Sequence, residues 1–558
     1  MPQVWCEIAF ARDSADSSPL WRDVSADVEW WLGVRISRRR SHELDEVQPG
    51  TLSLVLTNED GRYTAGNVGS PHYPNVRINR PIRLRARWPV SVNLLLEGQA
   101  KASTTALFSS STGSIAVDTV VVPAGQTSSI RWDTGALAAP DHYLRVGTVS
   151  GDTATSQAIP VTAGTVYTLS CQGRRDASLA LSANARIRWY DGSGAFLSDV
   201  SGGAVALSTS FQALAVTGTA PAGAVWARQV IGTTTTTASS VAVYVSALQF
   251  EQAAAASTWT SPGVEYIRYT GFVDRWPHAW TGGVLGYAAL TATDRQKLLG
   301  RQLLGAVALT DNQLSGGRAN ALLAAAGITS TLVDPGLSVL GLTGDEARQS
   351  IQALLRAVAK SEAGLFFIAG DDTAVFQDRG RRQRPAATVL TVTADQCRDD
   401  LNFVVDDALL INDATVLTDT GLESTRTDAA SIDDYGTYST RLDTLLTNTA
   451  EAADRASFLL AKYAEPQPRA GQISIEARTQ PALWEELLGS EIGQRIQVTD
   501  LPGSAPSGVL DLWIEGVQDE ITDQSWTFTL DPSPAAVTIS FILDDPTYGT
   551  LDNNKLGW

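Results

Sequence analysis

The chain has 558 residues, 44% of them hydrophobic and 18% charged, and a formal net charge of −18. That length calls for several cores, about three or four domains, and the low charged fraction excludes an intrinsically disordered chain. The acidic balance argues against a nucleic-acid-binding surface, whose affinity rests on clustered Lys and Arg, although it suits a channel along which DNA slides.

The N-terminus MPQVWCEIAFARDSAD lacks a basic segment followed by an apolar run. No stretch approaches the roughly 20 apolar residues of a membrane span, so a soluble chain made in a cytoplasm is expected. Cys6, Cys171 and Cys397 lie far apart without a CxxC pair, which predicts buried thiols rather than a zinc or redox centre.

The first segment reads as β. TLSLVLTNEDGRY alternates Leu52, Leu54 and Leu56 against Ser53, Val55 and Thr57 before Asp60-Gly61. PIRLRARWPV sets Ile82, Leu84 and Ala86 against Arg83, Arg85 and Arg87, predicting one buried and one wet face. The run Asn58-Glu59-Asp60-Gly61 misses the spacing of a calcium loop and reads as a hairpin turn, with Gly61 free to take positive φ.

From about 101 to 262 charge thins out, and Ser, Thr, Ala, Gly and Val dominate in short β-branched runs. This predicts a β-sandwich of jelly-roll type. Trp189 and Tyr190 in ARIRWYDGSGAFLS, and Trp226 in PAGAVWARQV, admit two readings: core residues, or aromatic faces on which a sugar stacks. The earlier style returns in YIRYTGFVDRWPHAW, so the sandwich is an insertion. LGYAALTATDRQKLLGRQL then reads as a strand running into a short helix.

TGDEARQSIQALLRAVAKSEAG predicts a helix capped by Thr343 and Glu346, with Ala347, Ile351, Leu354, Leu355 and Val358 as its apolar stripe and Gly364 as its stop. GLFFIAG and TAVFQD read as a hairpin. NTAEAADRASFLLAKYAEP predicts a helix from about Asn448, followed by strands in QISIEAR, QRIQVTDL, LDLWIEGVQDEI and SWTFTLDP. Strands, helices, then strands again in each half suggest a duplicated plan.

Chemistry is sparse. No G-x-S-x-G, H-E-x-x-H or Walker pattern occurs, and His42, His72, His142 and His278 stand in different segments. The paired acids (Asp371-Asp372, Asp406-Asp407, Asp433-Asp434, Glu485-Glu486 and Asp544-Asp545) read as solvated surface. No catalytic residue, metal or cofactor is expected.

Several runs nevertheless resemble one family, the minor tail proteins of actinobacterial siphophages that form the tail hub. They are ELDEVQPGTLSLVLTNEDGRYTAGNVGSPHYPNVRINRPIRLRARW, YTGFVDRWPHAW with LTATDRQKLLGR, SIDDYGTYSTRLDTLLTNTAEAADRASFLLAKY, EIGQRIQVTDLP, LWIEGVQDEIT and DDPTYGTLDNNKLGW. The resemblance covers about 1–100 and 265–558. The end of the insertion, VYVSALQFEQAAAASTWTSPG with Gln249, Glu251 and Trp259, is similar to the close of carbohydrate-binding jelly rolls.

The resemblance implies a multidomain, mainly β fold with α+β parts. It would have two related hub β-barrels (1–100 with 263–295, and 396–535), an α+β domain (296–395), the inserted sandwich (101–262) and a C-terminal extension (536–558). It implies a non-enzymatic homotrimer at the distal end of the tail in the virion. Expected neighbours are a distal tail or tail tube protein ring, the tape measure protein and central fibre proteins, with genomic DNA in transit. A host-cell-surface glycan is the expected ligand of Trp189, Tyr190 and Trp226, and a host-carbohydrate adhesin is the alternative reading.

Overall fold

The computed structural model describes residues 1–11, 19–146, 158–281, 285–383, 387–398, 401–505 and 507–535; the expected extension 536–558 lies outside them. The fold is mainly β with α+β parts. It groups into two compact units, 1–27 with 65–267, and 28–64 with 268–558. This division differs from the expected boundaries, because 28–64 groups with the C-terminal half.

In the first unit, Arg22–Asp23, Gln3–Ile8 and Pro81–Trp88 are antiparallel neighbours in that order, with Glu7 opposite Arg83 and Trp5 opposite Arg85. The insertion is the expected sandwich. Its seven-stranded sheet runs Phe196–Ser201, Leu181–Tyr190, Trp226–Thr233, Tyr143–Val146, Phe108–Ser110, with two short strands beside it. The five-stranded sheet runs Gln212–Thr219, Val166–Arg175, Ala242–Glu251, Ser129–Asp133, Ser114–Asp118.

Alternation explains the pairing of these sheets. Leu181, Ala183, Ala185, Ile187 and Trp189 point inward from one strand and meet Leu169, Val245 and Phe250 from the other sheet. A bulge opposite Ser170 and Gln172 carries Ala247 at φ 50°, the left-handed region that a second residue on one strand requires. The threonine tract 233–237 is ordered, bridging Leu137 to Thr237.

The sequence pattern Gln249-x-Glu251 has a local mechanical role. Glu251 accepts from Gln249 Nε2 (2.9 Å), Ser257 N (2.8 Å) and Ser257 Oγ (2.7 Å), while Gln249 Oε1 accepts from Thr260 N (2.8 Å). Asn93, where the chain enters the insertion, donates to Leu248 O (3.0 Å) and Thr260 O (3.3 Å). Entry and exit are therefore fastened to the same strand end.

In the second unit a sheet runs from Val264–Arg275, whose first four residues belong to the first unit, through Leu285–Thr293, Thr51–Thr57, Val34–Arg39, Leu510–Ile521 and Arg495–Thr499 to Thr388–Thr393. The expected pair of closed barrels is corrected here: no sheet of the described residues closes. Instead Val34–Arg39 pairs with Leu510–Ile521 from Val34↔Ile521 to Arg39↔Gly516, so strands assigned to different barrels share one sheet. Nor do Thr51–Thr57 and the next strand make a hairpin, since Thr51–Thr57 lies between Val34–Arg39 and Leu285–Thr293.

Buried charges bind this sheet. Glu515 takes both Arg382 Nη1 and Nη2 (2.7 and 2.9 Å) and Arg40 Nε (2.7 Å); Asp519 takes Arg268 Nε and Nη2 (2.9 and 3.0 Å). Two arginines beside it hold the Glu515 carboxyl far below its ordinary range despite burial.

The α+β part packs Ser315–Ala325, Ile351–Glu362 and Thr449–Tyr463 around one core with two three-stranded sheets. In each small sheet the central strand, Ala374–Gln377 or Asp413–Leu417, has one parallel and one antiparallel neighbour, in keeping with a duplicated plan. Thr449–Tyr463 is capped by Asn448 as expected.

The helix expected from Thr343 starts later. Glu346 Oε1 accepts from Thr343 N, but the one-turn helix Glu346–Arg348 follows Asp345, whose side chain makes no cap, and Ser350 caps Ile351–Glu362. The extended backbone of Gln349 and Ser350 separates the two, which leaves Ala347 exposed while Ile351, Leu354, Leu355 and Val358 are buried. The left-handed C-terminal residue is Ala363 at φ 59°, one position before Gly364.

Glu251→Ala is expected to reduce unfolding free energy by about 1–2 kcal/mol, because it strands the buried Gln249 amide and removes the acceptor of Ser257 N–H. Glu251→Gln, which still accepts, should cost less than half as much. Urea denaturation of the full chain measures both, and a loss below about 0.5 kcal/mol for the alanine variant would show that the fastening is dispensable.

Candidate binding cleft

Strand alternation puts Trp5 and Glu7 on one face of Gln3–Ile8, and Arg83, Arg85 and Arg87 on the same face of the adjacent strand. This face is not wet. Arg85 and Arg87 are 6% and 2% exposed, and Glu7 1%. Glu7 accepts from Arg83 Nε (2.6 Å) and from Arg85 Nε and Nη2 (2.9 and 3.0 Å). Glu265 accepts from Arg85 Nη1 (2.7 Å) and Arg87 Nη2 (2.5 Å).

The indoles complete the ladder. The Arg85 guanidinium lies 4.0 Å from the Trp5 ring centre, and that of Arg83 lies 4.4 Å from Trp21. Arg87 also donates to Asn93 O (2.8 Å), tying the ladder to the root of the sandwich. Burial raises the Glu7 carboxyl, but Arg83 and Arg85 outweigh it and hold the group down at about 2. These arginines are ion-paired and stacked because a guanidinium carried out of water needs such partners.

Beside the ladder lies a cleft of about 200 Å³, bordered by Trp5, Trp21, Tyr167 and Trp226 and by the charged ladder. Trp226, one of the three aromatic residues expected at a sugar, has an edge here. Tyr190 sits opposite it across the strands, and both belong to a small apolar cluster with Ala9, Leu20, Trp21 and Ala158. Trp189, one residue from Tyr190 and so on the other face, is inside the sandwich core near Tyr167. Buried in these positions, Trp189 and Tyr190 offer no ring face to a sugar. The structure brings Tyr190 and Trp226 together and sets Trp189 apart.

Trp5, Glu7, Trp21, the three arginines and Glu265 were missed by sequence reasoning. Their one signal was Trp5-x-Glu7 and Arg83-x-Arg85-x-Arg87 at strand spacing, which is equally the pattern of a solvated face.

The other groups are spoken for locally. After Thr51–Thr57, Asn58 O accepts from Gly61 N (3.1 Å) and Asn58 Oδ1 from Tyr63 N (2.8 Å), with Gly61 at φ 71°, so a tight turn forms there although it joins no hairpin. Cys6 and Cys171 are buried and Cys397 half-buried, all as free thiols. Asp372 pairs with Arg295, Asp406 with Arg469, and Asp407 with Tyr438. His72 stacks on Phe10 at 3.9 Å, and the structure does not bring the four histidines into one cluster.

No protein-family model and no curated protein matches the chain. Among solved structures, it is similar to the 43 kDa tail protein of prophage MuSo2 from Shewanella oneidensis, with 13% identity over 48% of this chain and 78% of that one, at a TM-score of 0.35. A tail protein from Neisseria meningitidis MC58 gives 15% identity over 48% and 80%, at 0.36. The CBM22-1 xylan-binding domain of Paenibacillus barcinonensis Xyn10C gives 18% identity over 27% and 90%, at 0.20.

Glu7→Gln is expected to cost about 3 kcal/mol or more at pH 7, because it leaves two buried guanidiniums under-compensated. A carboxyl held at about 2 against an ordinary 4.5 adds stability above pH 4.5 that is lost as pH falls toward 2, roughly 3 kcal/mol in all. Unfolding curves at pH 7 and pH 3 should therefore differ less for Glu7→Gln than for the unaltered chain.

Proposed function

We propose that the chain is a structural, non-enzymatic hub at the distal end of a long-tailed phage tail. Three copies would form a ring that closes the tail tube, adapts it to the tip and lines part of the DNA exit path. Its ring neighbours would be a distal tail or tail tube protein, the tape measure protein and central fibre proteins.

The observation that carries this reading is the organisation of the chain. Both ends of the sequence contribute strands to one sheet through the Val34–Arg39 and Leu510–Ile521 pairing, and a complete sandwich is rooted at Asn93 and Thr260 as a separate module. A scaffold carrying an appended module suits assembly and attachment better than it suits turnover. The tail-protein resemblance of residues 43–88 and 431–463 points the same way. The net charge of −18 fits a channel wall that repels phosphate and lets DNA pass.

The sandwich supports a second reading, an adhesin whose main task is binding host carbohydrate, because its Trp226 reaches a cleft beside buried indoles.

A symmetric reconstruction of the tail tip tests the first reading. Three copies are expected on the central axis, and a position outside the axial ring would overturn it. Purified full chain added to host cells tests the second. An adhesin blocks phage adsorption in proportion to its concentration, whereas a purely structural hub leaves adsorption unchanged.

A further inference from the structure

The outer face of the five-stranded sheet carries an arginine that the rest of the module does not answer. Along Val166–Arg175, Leu169 and Cys171 belong to the core, so Ser170, Gln172 and Arg174 stand together on the opposite face. Arg174 lies opposite Tyr244 on one neighbouring strand, and Phe211 immediately precedes the other neighbour, Gln212–Thr219. Its guanidinium carbon is 5.6 Å from the Tyr244 ring centre and 5.7 Å from that of Phe211, so two rings hold the planar group in place.

This charge has no counter-ion. Arg83, Arg85, Arg268 and Arg382 each hold a carboxylate, whereas Arg174 meets neither a carboxylate nor another acceptor among the described residues. Its Nε is buried, but Nη1 and Nη2 are not, which leaves the outer edge of the fork open to solvent. Arg131, beyond Tyr244, is already taken by Asp133 (2.9 Å).

Ser170 and Gln172 continue the strip. Both are half-buried, and neither the Ser170 hydroxyl nor the Gln172 amide has a partner among the described residues. Small side chains flank them, the exposed Ala213 and Ala215 on one neighbouring strand and Ser246 on the other. At the rise of a strand, Ser170 to Arg174 spans about 13 Å, longer than one sugar ring. A hydroxyl, an amide and a cation along a low floor suit a polyhydroxyl chain that carries an anion.

Charge decides which anion. A carboxylate has the single charge that one guanidinium balances, and its two oxygens match two parallel N–H donors. A phosphate monoester carries about −1.5 to −2 and would stay under-compensated on a chain of net charge −18. We propose that this face binds an acidic glycan, with a uronate carboxylate on the Arg174 Nη edge and neighbouring hydroxyls on Gln172 and Ser170. The inference rests on the glycan-binding reading of the sandwich and moves its ligand from the Trp226 cleft to this open face.

Calorimetric titration of the full chain tests it. The probes are tetrasaccharides of galacturonate, of mannuronate, and of glucuronate alternating with N-acetylglucosamine, the same three with their carboxyls reduced to alcohols, and inorganic phosphate. At least one acidic tetrasaccharide is expected to bind with Kd below about 1 mM, and its reduced form at least about tenfold more weakly. Phosphate is expected not to bind. Arg174→Gln should weaken the acidic ligand by about tenfold or more with the melting temperature unchanged, since no ion pair or hydrogen bond is lost. Gln172→Ala should weaken it about threefold.

Four results would overturn the proposal: no acidic tetrasaccharide binding, equal binding of the reduced forms, binding that Arg174→Gln leaves intact, or phosphate binding in place of uronate. Neutral-sugar binding untouched by Arg174→Gln would leave a glycan-binding sandwich standing and remove only this site. Adsorption blocked by the full chain while none of the acidic tetrasaccharides binds would separate the two in the same way.

Discussion

A buried guanidinium needs a carboxylate, and that requirement joins segments of this chain that are remote in sequence. Arg268 reaches Asp519, Arg40 and Arg382 reach Glu515, and Arg83 and Arg85 reach Glu7, each within hydrogen-bond distance. Such forks are directional, so each fixes the register of the strands that present it as well as their proximity. Desolvation takes back much of the Coulombic gain, which makes these pairs better at specifying one arrangement than at adding stability. A strand slipped by one residue would point its arginine at an apolar face, where its charge has no answer.

The same requirement explains where the sequence was readable and where it was not. Composition and short β-branched runs identified the sandwich, and local apolar patterning identified the strands of the C-terminal third and the hairpin Leu365–Ile368 with Ala374–Gln377. Alternation could not say that Arg83, Arg85 and Arg87 face inward. A strand with arginines at every second position looks solvated until its partner strand, with Glu7, is known. The helix at Thr343 failed for a related reason. Thr343 and Glu346 do hydrogen-bond to each other, but the pattern fits one short turn as well, and Ser350 supplies the helix cap seven residues on. The open sheet, finally, depends on Val34–Arg39 meeting Leu510–Ile521, a pairing nearly 500 residues apart that no local signal encodes.

The aromatic residues divide by the same logic. Trp189 and Tyr190 are adjacent in sequence and therefore face opposite ways, one into the sandwich core and the other into the cluster with Trp21. Of the two readings open to them in the sequence, core or sugar-stacking, burial selects core for both, because a strand sends neighbours to opposite faces. Trp226, from the neighbouring strand, shares a face with Tyr190 and belongs to that same cluster. The resemblance to jelly-roll endings has a similar resolution. Gln249 and Glu251 hold the departing chain, so that pattern reports how the module is attached.

The attachment has an evolutionary consequence. Because the chain leaves and re-enters within one hydrogen bond, Asn93 to Thr260, exchanging the intervening domain would scarcely alter the geometry of the scaffold. Any domain with adjacent termini could be accepted as a cassette, exchanged by recombination at these two points while the strands outside it stayed constant. The limit on such exchange is Trp21 with Ala9 and Leu20, which every replacement would have to cover with an apolar patch of its own.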